Sequence, residues 1–219
     1  MKTTILAIFA AVLMSIGLLA AAIYLPATAA WVMQPLMEHF APPEDTHLPA
    51  EEYAPVVDMI TSYLKGGNNA FQHLYAVNGT EYAAFNQKEQ QHMADVQDLF
   101  RLCRFVAWLG WGVVLFGGLA ARRKLAWCTF RRTLLAILAA VGVVIFLACI
   151  DFDSLFILFH KIAFTNDLWL LNPQTDLLIR LMPIEFFISY AAIIGGLWLL
   201  GMFGLLVFAT HRIKTITRE

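Results

Sequence analysis

Four stretches of this chain, residues 3–25, 102–121, 133–150 and 186–210, are strongly apolar and contain no acidic residue. A helix needs ~20 apolar residues to cross the hydrocarbon core of a bilayer. Inside that core every backbone N–H and C=O must be satisfied within the protein, which restricts a spanning chain to helices or closed barrels. The pattern therefore predicts an all-α polytopic membrane protein with four transmembrane helices. The composition agrees, since 60% of the 219 residues are hydrophobic, 14% are charged and mean hydropathy is +0.67. The first stretch, behind Lys2 and ahead of Ala27-Thr28-Ala29, shares features with a secretion signal. Its apolar run over 5–24 exceeds the ~7–15 residues of a signal core, so a retained helix is expected.

Charge sets the expected orientation. Fifteen of the sixteen acidic residues lie between the apolar stretches, within 26–98 and 151–185. Arg122, Arg123, Lys124, Arg131 and Arg132 sit between the second and third stretches, and Arg212, Lys214 and Arg218 follow the fourth. Basic residues mark the cytoplasmic side, so both termini and the short basic loop are expected inside and the two long acidic loops outside. The expected order is a transmembrane helix over 1–25, an extracytoplasmic loop domain over 26–98, a second transmembrane helix over 99–121 and a cytoplasmic basic loop over 122–132. A third transmembrane helix over 133–150, an extracytoplasmic interfacial loop over 151–185, a fourth transmembrane helix over 186–210 and a cytoplasmic tail over 211–219 follow.

The first long loop opens with Pro26, Pro35, Pro42, Pro43 and Pro49, which favour irregular or extended chain. Tyr53, Val56, Val57, Ile60, Tyr63 and Leu64 then recur at helical spacing and predict one amphipathic helix. Asn78-Gly79, between apolar runs, predicts a tight hairpin, so the domain is read as α with a small β-hairpin. Asn86 and Glu89 are spaced as a capping box and start a helix that runs without Pro or Gly to Gly110. In the second loop, residues 155–164 are apolar but too short to cross, and are expected to be interfacial or re-entrant. Asn172-Pro173 predicts a helix start, with a short helix over 174–182.

His92 and His160 are the leading chemical candidates, because imidazole exchanges protons near neutral pH and each falls near an expected water interface. An interfacial histidine can equally serve only to bond a headgroup or a loop carbonyl. Asp95, three residues after His92 on one helix, is placed to orient its ring or to lie on a solvated face. Arg101 and Arg104 continue that face and suit a lipid phosphate or a pairing with Asp98. Trp169 fits an interfacial anchor or a pocket wall, Asn172 a cap, and Asp176 is spaced to pair with Arg180. Cys103, Cys128 and Cys149 show no metal spacing, and no cofactor or metal site is expected. There is no nucleophile elbow, phosphate loop or outward basic patch suited to nucleic acid.

Taken together, the stretch from Phe85 through His92-Met93-Ala94-Asp95-Val96 and the run Phe159-His160 … Trp169 … Asn172-Pro173 … Asp176 resemble a bacterial family of integral membrane proteins, the lipoprotein intramolecular transacylases. The likeness covers most of the chain from about Tyr53 onward, although Asp is as readily expected as Asn at position 172. It implies transfer of the sn-2 acyl chain of a diacylglyceryl-modified lipoprotein to the α-amino group of the same cysteine, giving a lyso-form product. It also implies that His92 and His160 are the functional pair, that diacylated lipoproteins and membrane lipids are the partners, and that the site is extracytoplasmic. The supporting residues would be Asp95, Trp169, Asn172 and Asp176, with Arg101 or Arg104 near an oxyanion or headgroup. The competing expectations are a non-catalytic membrane receptor for lipoproteins or envelope components, and a metal-dependent hydrolase needing a third ligand near the histidines.

Overall fold

The computed structural model describes residues 2–67, 70–117 and 124–218, which are predominantly helical. Helix α1 spans Lys2–Ala27, α2 Ala30–Phe40 and α3 Pro43–Thr46; after a 3-10 turn at Ala50–Glu52 comes α4, Tyr53–Leu64. Strands β1 (Leu74–Val77) and β2 (Thr80–Ala83) lead into α5 (Gln87–Gly117), α6 (Lys124–Ile150), α7 (Phe152–Ala163), α8 (Leu177–Leu181) and α9 (Ile184–Arg218). Among the described residues three helices are long and apolar enough to cross a membrane, at Lys2–Ala27, Leu125–Ile150 and Ile184–Thr217. The other expected span falls on α5, which is helical to Gly117; residues 118–121, with Arg122 and Arg123 of the expected basic loop, lie outside the described residues. Helix α9 continues past the expected end at 210. The hydroxyls of Thr210, Thr215 and Thr217 bond back to the carbonyls of Leu206, His211 and Ile213, and no Pro or Gly interrupts the turn.

The chain divides into two units, one of residues 1–23, 103–151 and 194–219 and one of 24–102 and 152–193. In the first, Ala7, Ala11, Met14, Leu134, Trp198 and Met202 belong to one buried cluster, and the Trp198 indole donates to the Ser15 carbonyl at 3.0 Å. Gly17 and Gly110 bring two backbones so close that a Cβ on either would lie 2.8 Å from the other's Cα. Large apolar side chains such as Phe9, Phe146, Leu200 and Phe203 remain exposed, as lipid-facing residues must be.

The second unit is built on α4, which buries Tyr53, Val56, Val57, Ile60 and Leu64 of the stripe read from the sequence, with Thr61 buried beside them and Tyr63 half-buried. The Tyr53 hydroxyl donates to the Ala41 carbonyl at 2.5 Å and contacts the Thr46 hydroxyl at 2.7 Å, tying α4 to the chain after α2. The proline-rich segment before it is mostly helical, contrary to expectation. Pro43 opens α3, where its missing N–H would have had no helical partner. Pro35 sits inside α2 and forfeits one backbone bond there, while Met33 and Met37 bury the same helix. The hairpin forms as expected, with Asn78 and Gly79 both at positive φ (52° and 80°) and Val77 paired to Thr80.

Candidate active site

Helix α7 has 12 residues, a length of about 18 Å, against the ~30 Å of a hydrocarbon core, so it does not cross. Ile157, Leu158, Phe159 and Ile162 are exposed on it, whereas His160 is only 8% exposed. The Nδ1 of His160 lies 2.7 Å from the Phe156 carbonyl one turn earlier. A carbonyl can only accept, so the neutral ring is protonated at Nδ1 and keeps a free lone pair on Nε2.

Helix α5 starts with the expected capping box: the Asn86 N–H donates to Glu89 Oε2 at 2.7 Å and the Glu89 N–H to Asn86 Oδ1 at 3.1 Å. Its next turn presents His92, 7% exposed, with Nδ1 buried and without a partner among the described residues. The ring centroids of His92 and His160 are 6.2 Å apart. Phe164 meets His92 edge-on at 5.1 Å and lies 5.6 Å from His160, while Trp169 and Phe156 approach His160 at 5.0 and 4.3 Å. Burial in this aromatic surround pushes the His92 imidazole down to about 4, helped by repulsion from His160 and opposed by Asp95. Burial lowers His160 too, against the Phe156 carbonyl, which favours its charged form. The pair is therefore neutral near neutral pH.

Four ties hold the segment after α7 against α5. Asn166 donates to Asp95 Oδ2 at 2.9 Å, the Lys88 ammonium donates to the Leu170 carbonyl, and Asn86 donates to Asp176 Oδ1 at 2.8 Å. The fourth is the Leu178 N–H on Glu89 Oε1 at 2.6 Å. Burial pushes the Glu89 carboxyl up, opposed by the amides of Leu178 and Asn86. Burial alone would raise Asp176 as well, but bonds from the Asn172 amide, Thr175 and Asn86 outweigh it and hold that carboxyl below its usual range. A cavity of about 410 Å³ is bounded by Ile157, Lys161, Asn166 and Leu170 and by Phe164 and Trp169, the two lining rings that pack on the imidazoles.

A family model for the lipoprotein intramolecular transacylase Lit matches residues 8–187. The chain belongs to the Lit family. The solved structure of the membrane-integral Lit from Bacillus cereus matches with a TM-score of 0.79 at 20% identity, over 100% of this chain and 97% of that one. Two structures of the same Bacillus cereus protein, each with one histidine replaced, by arginine or by alanine, give TM-scores of 0.72 and 0.74 at 19% identity. They cover 98% and 100% of this chain and 92% and 95% of theirs. Comparison with curated protein sequences gives no match. At these identities the solved structures establish the fold, and with the three apolar helices they make this Lit-family chain a membrane protein.

Within this Lit-family fold, the second unit brings together His92, His160 and Trp169. Asp95 is near but bonded to Asn166, and the imidazole nitrogen Nδ1 of His92 receives nothing from it. Asn172 does not start a helix. Its side chain takes the Gln174 N–H at 3.0 Å and Asp176 takes the Asn172 N–H at 2.7 Å, so these residues form a turn and the helix shortens to Leu177–Leu181. The expected Asp176–Arg180 pair is absent, because Asp176 is already occupied by Asn86, Asn172 and Thr175, and Arg180 Nε is left buried without a partner among the described residues. Arg101 pairs with Asp98 at 2.7 Å and also reaches Gln97 at 2.6 Å; Arg104 lies three residues further along α5. Cys103, Cys128 and Cys149 are free thiols. Among the described residues no three His, Cys, Asp or Glu side chains converge as metal ligands. Sequence reasoning passed over Phe164, Phe156 and the second role of Glu89, all of which depend on pairings across the fold or on a backbone carbonyl.

Proposed function

We propose that this chain is a lipoprotein intramolecular transacylase with four transmembrane helices, both termini cytoplasmic and its site on the extracytoplasmic face. The substrate would be a diacylated lipoprotein whose sn-2 acyl chain moves to the α-amino group of its own N-terminal cysteine. The observation that carries this reading is the buried pair of neutral imidazoles 6.2 Å apart, packed on two rings that line a cavity, in a chain of the Lit family.

The chemistry needs two protons removed from nitrogen and one returned to oxygen. The cysteine's ammonium must lose a proton before its nitrogen can attack the ester carbon, and the free Nε2 lone pair of His160 suits that task. The amine then adds to the sn-2 carbonyl, giving a tetrahedral oxyanion. The added nitrogen gives a second proton to the pair, the first having passed to water; collapse then forms the amide and breaks the ester bond to the glyceryl oxygen, which takes up that second proton. At 6.2 Å two imidazolium charges would repel by about 3 kcal/mol at an effective dielectric of ~20, so the pair carries one proton at a time. Amine and ester belong to one molecule, so the protein's main task is to hold them at reacting distance in a dry site. Trp169 and Phe164 wall that site in this reading, Asp176 and Asn172 fix the loop behind them, and Asp95 holds the loop through Asn166.

The test is mass spectrometry of one lipoprotein's N-terminal peptide from cells with the gene, without it, and with His92→Ala or His160→Ala. N-acylated lyso-form peptide should appear only with the unaltered gene. An identical acylation pattern in all four strains would end this assignment.

A further inference from the structure

The first unit carries a charge imbalance that the proposed reaction does not use. Its segments contain ten lysines and arginines and only two acidic residues, Asp151 and Glu219. Asp151 follows the far end of α6, about 30 Å along the chain from Arg131. Arg131 on α6 and Arg212 on α9 each bury the guanidinium Nε without an acceptor among the described residues. The Arg212 guanidinium lies over the Trp127 ring, 5.7 Å from its centroid, and Arg131 stands one helical turn on from Trp127. Trp127 is itself buried against Phe130 at 5.7 Å and Phe208 at 5.5 Å, which fixes the floor beneath Arg212. Arg132 and Lys214, beside them in sequence, are exposed.

Positive residues at a membrane edge are ordinary, but they ordinarily keep their donors in water. A buried guanidinium donor with no acceptor is costly, and the planar fork of donors matches the oxygens of a phosphate. Among the described residues neither guanidinium is paired with a carboxylate, and an acceptor from outside the chain would complete both. We propose that Arg212, over the Trp127 ring, and Arg131, one turn along α6 from Trp127, form a binding site for the phosphate of an anionic phospholipid. The site stands on the first unit alone and is independent of the transacylase reading.

The test uses the full chain in dodecyl maltoside, titrated with phosphatidylglycerol, with a diacylglycerol of the same acyl chains, or with inorganic phosphate. Thermal midpoint and bound lipid by native mass spectrometry are read for each. Phosphatidylglycerol should raise the midpoint saturably and remain bound, and diacylglycerol should not. Arg131→Gln with Arg212→Gln should weaken that binding at least tenfold, and the charge-conserving Arg131→Lys with Arg212→Lys should weaken it measurably. Arg132→Gln with Lys214→Gln, which removes the same charge from exposed positions, should leave it unchanged. Equal shifts with diacylglycerol, equal losses in the exposed pair, or full retention in the lysine pair would overturn the site. A matching saturable rise with inorganic phosphate alone would overturn its assignment to a lipid. If the glutamine pair does not fold, the lysine pair and the unaltered chain decide.

Discussion

Glu89 accepts the Leu178 N–H through one carboxylate oxygen at 2.6 Å and the Asn86 N–H through the other at 2.7 Å. One buried carboxylate thus joins the start of the helix bearing His92 to the chain that follows Trp169. Glu89→Gln keeps the shape but offers one accepting oxygen to two amides, the Leu178 one buried, so it should cost about 1–3 kcal/mol in stability. In the proposed reaction it should lower turnover more than apparent substrate affinity, because it loosens the spacing of the histidine pair. Thermal unfolding together with a rate measured at several substrate concentrations checks both effects.

The His92 imidazole titrates at about 4 in the folded chain, against an ordinary 6.5 when unfolded. Between those values the unfolded chain binds a proton that the folded chain refuses, so stability is complete above the unfolded value and is lost as pH falls through the window. The full loss from this group is about 3 kcal/mol. Melting temperature should therefore drop from pH 7 to pH 4, and His92→Gln should flatten that drop. An unchanged slope in the variant would show that other groups dominate.

If the two imidazoles divide the proton transfers, replacing either with glutamine should reduce product formation by about 10²–10⁴-fold. Asp95→Ala should behave differently. Because Asp95 bonds Asn166 and not the His92 ring, its loss should lower the rate by less than about tenfold, whereas an orienting carboxylate of triad type would cost about 10⁴-fold. The ratio of lyso-form to diacylated peptide for the three variants separates these outcomes.

Gly110→Ala should separate the backbones that meet at Gly17, since the new Cβ would lie 2.8 Å from the Gly17 Cα. The expected cost is about 1–3 kcal/mol by overpacking. Gly142→Ala, where a Cβ meets nothing within 4 Å, is the matched control and should be neutral or slightly stabilising. Thermal unfolding of the two variants in the same detergent makes the comparison.

Periodic signals translated well into structure. The stripe from Tyr53 to Leu64, the Asn78-Gly79 turn and the Asn86–Glu89 cap are all local, so their partners lie within a few residues and spacing alone reveals them. The proline-rich segment misled because three separate short helical pieces accommodate prolines at or near their starts or at the cost of a single bond. Asp176 misled for a different reason. Its spacing to Arg180 suited a helix, but Asn86, remote in sequence, had already taken its oxygen. The histidine pair lay between these cases: each residue was visible alone, but only the family resemblance suggested that they meet.

Helix α7 turns Ile157, Leu158, Phe159 and Ile162 outward while holding His160 inward. Such a helix has no solvent of its own in water, and its fold is completed by the acyl chains around it. The choice of detergent then becomes a chemical variable of the site itself. Short, highly soluble surfactants should strip the histidine helix and silence the protein while the long apolar helices still register as folded by circular dichroism.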